Sequence, residues 1–178
     1  MTHAVFHIIF ALLVAEFIRE YCVKNKYKFS IFYVFIAGLA GALPDIDVAA
    51  YWILYFFGFT LNEVHRTFTH TLFIPIIFIL LAIFTWNLKY KELGRHHLKI
   101  HTIFLMIALG TFTHLFLDAT TAGSIMPFYP FSTYRFGLNL LGFLPDPLLQ
   151  LALPSLDAAI FILWIIWLEK KHKISNFI

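Results

Sequence analysis

Leu43-Pro44-Asp45-Ile46-Asp47 interrupts an apolar stretch that runs from Phe29 to Phe59. The residue before a proline avoids helical geometry, and proline itself suits the first turn of a helix. One helix is therefore expected to stop near Ala42 and another to start at Pro44. Asp45 and Asp47 then fall in the first turn of the second piece, where the helix dipole favours anions. Two carboxylates inside so much hydrocarbon are costly unless they pair with each other's neighbours or bind an ion.

The surroundings set the class of molecule. Of the 178 residues, 61% are hydrophobic and only 13% charged, with a mean hydropathy of +0.81. A soluble domain carries about 25% charged residues. The expectation is an all-α, polytopic helical membrane protein forming a single domain over residues 1–178. Cys22 is the only cysteine, so no intrachain disulfide framework exists. The N-terminus lacks a basic n-region, and the first apolar run reads as a retained span, not a removed signal peptide.

Spans need about 17–25 apolar residues. His3 to Tyr21 is the first, the broken 29–59 stretch the second, His70 to Leu88 the third, and Ile100 to Leu117 the fourth. Residues 119–136 read as a loop. Residues 137–153 are interrupted by Gly142, Pro145 and Pro147, which predicts an irregular or re-entrant piece. Pro154-Ser155 reads as the start of the last helix, with Ser155 as N-cap and Asp157 in its first turn.

The net charge of +3 follows from the flanks of these spans. Lys and Arg at 19, 24, 26, 28, 89, 91, 95, 99, 170, 171 and 173 close spans one, three and five; Arg66 and Arg135 alone lie elsewhere. Topology thus accounts for the basic residues, and no nucleic-acid partner is expected. The positive-inside rule predicts about five transmembrane helices in the plasma (inner) membrane, N-terminus outside and C-terminus cytoplasmic.

That topology has a consequence for the polar residues. His3, His7, Asp45, Asp47, His65, His70, His114 and Asp118 all fall on one side of the membrane. His3 and His7 are four apart, as are His114 and Asp118, so each pair shares a helix face. His65 and His70 are five apart and need a turn between them, for which Thr67 or Thr69 could act as N-cap. Imidazole with carboxylate suits zinc, with manganese as the second choice, over calcium or magnesium. The set is too large for one tetrahedral zinc and suits two or three ions. Arg66 and Arg135 are placed to hold a phosphate through paired N–H donors. Asp157 lies on the same side as a supporting carboxylate. His96, His97, His101 and His172 lie on the basic side and read as solvated or headgroup contacts.

The segments Leu-Pro-Asp-Ile-Asp (43–47), His-Arg-Thr-Phe-Thr-His (65–70) and His114-Leu-Phe-Leu-Asp118, with the following TTAGS and PFS, resemble the membrane-bound metal-dependent hydrolases, the family with LexA-regulated bacterial members. The resemblance extends to about Arg135. More distantly it is similar to zinc-dependent phospholipase C and single-strand nucleases. It implies a ligand set of Asp45, Asp47, His65, His70, His114 and Asp118, completed by an N-terminal histidine. The phase of the first apolar run favours His7 for that place, with His3 second. Family members often carry glycine at the position of Thr67.

These readings converge on a membrane-embedded metal-dependent hydrolase. It would cleave a phosphoester, of a lipid or lipid-linked phosphate, with a metal-activated water; Asp45 or Asp47 would bridge ions or take a proton, and Arg66 or Arg135 would neutralise the phosphate. Membrane lipids are the expected partners. The alternative is a non-enzymatic metal-binding protein of transport or sensing, since intramembrane carboxylates and histidines also mark ion pathways.

Overall fold

The computed structural model describes residues 4–25, 29–88, 92–93, 96–121 and 123–173. Helix α1 (Ala4–Phe17) runs on through a π turn over Ile18–Cys22. Helix α2 (Ile31–Ala40) follows, its first turn capped by the Ser30 hydroxyl, which accepts from the Phe32 amide at 3.3 Å. The break foreseen at Pro44 is present: residues 41–45 form turns, and α3 (Ile46–Leu54) begins with Asp45 at its N-cap position. After a 3₁₀ turn (Tyr55–Phe57) come a short α4 (Leu61–Val64), a second 3₁₀ turn (Phe68–His70) and α5 (Phe73–Thr85). Two-residue strands β1 (Glu92–Leu93) and β2 (Leu98–Lys99) pair antiparallel before α6 (Ile100–Thr120). Helix α7 (Asp146–His172) closes the chain's described part.

Helix α6 is central, packing on α5, α2 and α1, while α1 also packs on α2 and α7. Small residues permit this closeness, as is usual where lipid gives helices no hydrophobic reason to associate. A Cβ on Gly110 of α6 would run into the carbonyl oxygen of Ala37 and the Cβ of Ala40 on α2. A Cβ on Gly41 would meet the His7 carbonyl and the Ala11 Cβ of α1 at 2.8 and 2.9 Å. Ala15, Tyr33, Val34, Ala37 and Met106 form the core between α1, α2 and α6.

The outer surface is apolar. Phe84 on α5 and Leu151 on α7 are 76% and 65% exposed, and Ile162 and Leu163 of α7 are likewise uncovered. Helices α6 and α7, with 21 and 27 residues, are long and apolar enough to cross a membrane; α2, α3 with its 3₁₀ turn, and α5 are shorter apolar helices.

The last helix differs from expectation. It begins at Asp146, with Pro147 in the first turn, and Pro154 lies inside it. Proline fits an N-terminal turn because its missing N–H has no intrahelical partner there anyway. Ser155 does not cap: its hydroxyl donates back to the Leu151 carbonyl at 2.7 Å. Only 137–145 is irregular, and Asp157 sits in the helix interior, not in a first turn.

Candidate metal centre

Four parts of the chain meet where α1, α2 and α6 approach closely. The N-cap and first turn of α3 bring Asp45 and Asp47; the segment between α4 and α5 brings His65, Arg66 and His70; α6 brings His114 and Asp118, and α1 brings His7. His7, His70, His114 and Asp118 are each at most 2% exposed. His3 lies outside the described residues.

Each imidazole is oriented by its neighbours. His114 Nδ1 lies 2.7 Å from the carbonyl oxygen of Gly41. A carbonyl carries no proton, so Nδ1–H donates and Nε2 is turned into the cluster. His70 Nδ1 faces Asp47 Oδ2 at 3.2 Å and the Thr69 hydroxyl at 3.0 Å. His65 Nδ1 faces Asp47 Oδ1 at 3.0 Å. A carboxylate or carbonyl holding one ring nitrogen so that the other points inward is the support that metal-ligating histidines usually have. The ring of His7 stacks on that of His114 with centroids 3.8 Å apart.

The inward atoms form three overlapping triads: His7, Asp45 and His114; Asp45, His65 and His70; His70, His114 and Asp118. Within each, one ligand atom per residue lies within 4.8 Å of the others. His70 Nε2 and His114 Nε2 are 3.2 Å apart. Asp45 Oδ1 is 3.6 Å from both, and Asp118 Oδ2 is 3.4 and 3.7 Å from them. Asp118 Oδ1 faces His7 Nε2 and the Arg66 guanidinium, each at 3.5 Å.

Asp47 stands apart from these triads. Besides the two histidines it accepts from the Arg66 amide at 3.2 Å and the Thr69 hydroxyl at 2.8 Å, both on Oδ2. The two carboxylates of the Asp45-Ile46-Asp47 pair thus diverge, one toward the shared triad space and one toward the segment that carries the histidines. Near a helix start both carboxylates could have reached one region; the hydrogen bonds of Asp47 to the 65–70 segment are what part them.

The turn between His65 and His70 has a different origin from the expected threonine cap. Arg66 takes a left-handed backbone conformation (φ 64°), uncommon for a residue with a Cβ. Thr67 donates to the Val64 carbonyl at 2.7 Å, and Thr69 binds Asp47; neither caps a helix. Upstream, Glu63 accepts from the Thr60 amide (2.8 Å) and hydroxyl (2.7 Å), fixing the start of α4 just before His65. Those bonds, the amide first, hold the Glu63 carboxyl below its ordinary range.

Arg66 and Arg135, far apart in sequence, line one polar cavity of about 500 Å³ together with His65, Gly123 and Ser124. Gly123 (φ 146°) leaves room for the Arg66 guanidinium: a Cβ there would collide with Nη1. Arg66 Nε is buried without a hydrogen-bond partner. The loop from 123 to 136 is held over this cavity by the Ile125–Phe136 bridge and by Leu72 N–H donating to the Pro127 carbonyl at 3.0 Å. An apolar cavity of about 320 Å³ also opens between Leu115, Ala119, Ile125 and Phe136.

The chain belongs to the YdjM inner membrane protein family, whose description matches residues 1–173. No curated protein and no solved structure matches it. It is accordingly an inner membrane protein with buried His/Asp groups able to hold a metal ion.

Proposed function

We propose that this protein is a membrane-embedded metal-dependent hydrolase acting on a phosphoester of a lipid or lipid-linked phosphate. One observation carries the reading. The Nδ1–H groups of His114 and His70 are both committed outward, to Gly41 and Asp47, while their Nε2 atoms stand 3.2 Å apart. Two such nitrogens facing each other share a cation, a proton or a metal ion, and the carboxylates around them favour the metal. The separation is close to the roughly 3.3 Å edge of a tetrahedron with 2.0–2.1 Å zinc–nitrogen bonds.

Charge supports the same conclusion. Asp45, Asp47 and Asp118 bring three carboxylates together, and the Arg66 guanidinium faces Asp118. Carboxylates gathered in such surroundings favour a divalent ion among them. His7, Asp45, His65, His70, His114 and Asp118 would hold one or more such ions, with zinc the best fit and manganese next. Bound there, a divalent ion supplies Lewis-acid polarisation of a phosphoryl oxygen and activation of a water.

The chain's own residues would do the rest. Arg66 and Arg135 bind the phosphate in the polar cavity beside His65. The half-buried Asp45 carboxylate, grouped with His65 and His70, is the proton acceptor we favour. The neighbouring apolar cavity takes an acyl chain. Five crossings, with the N-terminus outside and the C-terminus cytoplasmic, put this centre at the outer leaflet. A transport role is the alternative; buried Ala11, Ala15 and Ala37 close the helix interface between the centre and the other end of the bundle, which disfavours a polar conduit.

The test is metal analysis of purified protein joined to a screen of lipid phosphoesters. Stoichiometric transition metal, with turnover lost in Asp45→Asn and Arg66→Ala, is the expected result. Absence of bound transition metal, or phosphoesterase activity unchanged in Asp45→Asn, would overturn the proposal. Metal flux into proteoliposomes without hydrolysis would favour the transport reading.

A further inference from the structure

Nine residues beyond His7 on α1, at the opposite end of the bundle, Glu16 is only 3% exposed. Its Oε1 accepts from the Arg19 guanidinium at 3.1 Å and from His172 Nε2–H at 3.0 Å. Arg19 also faces Glu20 at 3.6 Å and donates Nε–H to the Phe29 carbonyl at 3.1 Å; Lys171 approaches Glu20 at 3.9 Å. Both carboxylates thus face permanent cations. Glu16 Oε2, however, is buried with no hydrogen-bond partner. An unsatisfied carboxylate oxygen in such surroundings is costly and calls for a missing donor.

Glu16, Arg19 and His172 form the polar end of a cavity of about 480 Å³, a size typical of ligand sites. Its remaining wall is apolar, with Leu12, Phe35 and Trp164 prominent. The cavity lies between α2 and α7 over α1, and Phe35 and Ile31 at its edge are 57% and 49% exposed. In an inner membrane protein that edge meets lipid.

We propose that this cavity binds an aminophospholipid, with an acyl chain along the apolar wall and the primary ammonium on Glu16 Oε2. The unsatisfied atom is a buried carboxylate oxygen, for which a cationic N–H donor is the strongest partner. A zwitterionic headgroup sets its phosphate toward Arg19 as its ammonium meets Glu16. A primary ammonium has three donors; a trimethylammonium has none. The proposal stands apart from the metal centre and does not depend on its chemistry.

Native mass spectrometry of the full-length protein with phosphatidylethanolamine or phosphatidylcholine of identical chains tests it. Wild type should retain the ethanolamine lipid about tenfold better, the worth of one charge-assisted hydrogen bond. Glu16→Gln, which keeps the shape and removes the charge, should bring that ratio close to one. Ile31→Trp, at the half-exposed mouth, should reduce retention of both lipids and needs no change at Glu16. Equal retention of the two lipids by wild type, a preference that survives Glu16→Gln, or retention untouched by Ile31→Trp would each overturn the proposal.

Discussion

The imidazole of His114 on α6 donates its Nδ1–H to the backbone carbonyl of Gly41, 73 residues away, at 2.7 Å. This one bond ties the end of α2 to α6 and also selects the tautomer whose Nε2 faces His70 and the carboxylates. Scaffold and site are therefore coupled. What loosens the helix contact should disturb the ligand geometry, and the expectations below use that coupling.

Removal of an inward-facing imidazole should empty the centre. His70→Ala and His114→Ala are each expected to lower the affinity for a transition metal by at least about tenfold, since even supporting partners are worth 10–100-fold. Metal content of the purified variants by inductively coupled plasma mass spectrometry reads this directly. Full occupancy in His114→Ala would count against a ligand role.

The two carboxylates of the break should behave differently. Asp47 holds His65, His70, the Arg66 amide and Thr69. Asp47→Asn is expected to weaken metal binding by about 10–100-fold while leaving the coordination number intact. Asp45→Asn should remove an oxygen ligand outright. X-ray absorption on the metal-loaded variants separates the cases, and an oxygen lost in Asp47→Asn alone would reverse the assignment.

Gly110 lies one turn before His114, and a Cβ there would meet α2 backbone. Gly110→Ala should push α6 from α2, destabilise the fold by about 1–3 kcal/mol and reduce metal content as well. Thermal unfolding in detergent with parallel metal analysis checks both. A variant as stable as wild type would show that the two helices can separate without loss.

Cys22 is the sole thiol of the chain and is exposed at the end of the π turn after α1. If the chain crosses five times with its C-terminus cytoplasmic, Cys22 is cytoplasmic. A membrane-impermeant maleimide should then label it in permeabilised cells but not in intact spheroplasts. Labelling of intact spheroplasts would invert the orientation.

Much of the centre was legible in the chain because its signals are local. Proline at 44 forecasts a helix break from its own covalent geometry, and the break is where it was expected. Charged groups in apolar sequence identify themselves: His7, Asp45, His65, His70, His114 and Asp118 meet in the triads, and Asp47 braces two of the histidines; His3 lies outside the described residues. The start of α7 is not legible in the chain, because proline at 147 and at 154 each suits a first turn and only packing chooses. Glu16 escaped notice for the opposite reason: one carboxylate beside Arg19 looks like an interfacial pair until its burial is known.

By itself, then, the amino-acid order determined a helical membrane protein, a break in its second apolar stretch, and an inventory of histidines and aspartates suited to a transition metal. These depend on composition and on chemistry within a few residues. Tertiary structure alone decided that Asp45 and Asp47 part company, that Arg66 turns left-handed to bring His65 and His70 together, and that His172 reaches Glu16 across 156 residues. Those outcomes depend on which backbones approach closely enough to share a hydrogen bond, and helix spacing at Gly41 and Gly110 sets that distance.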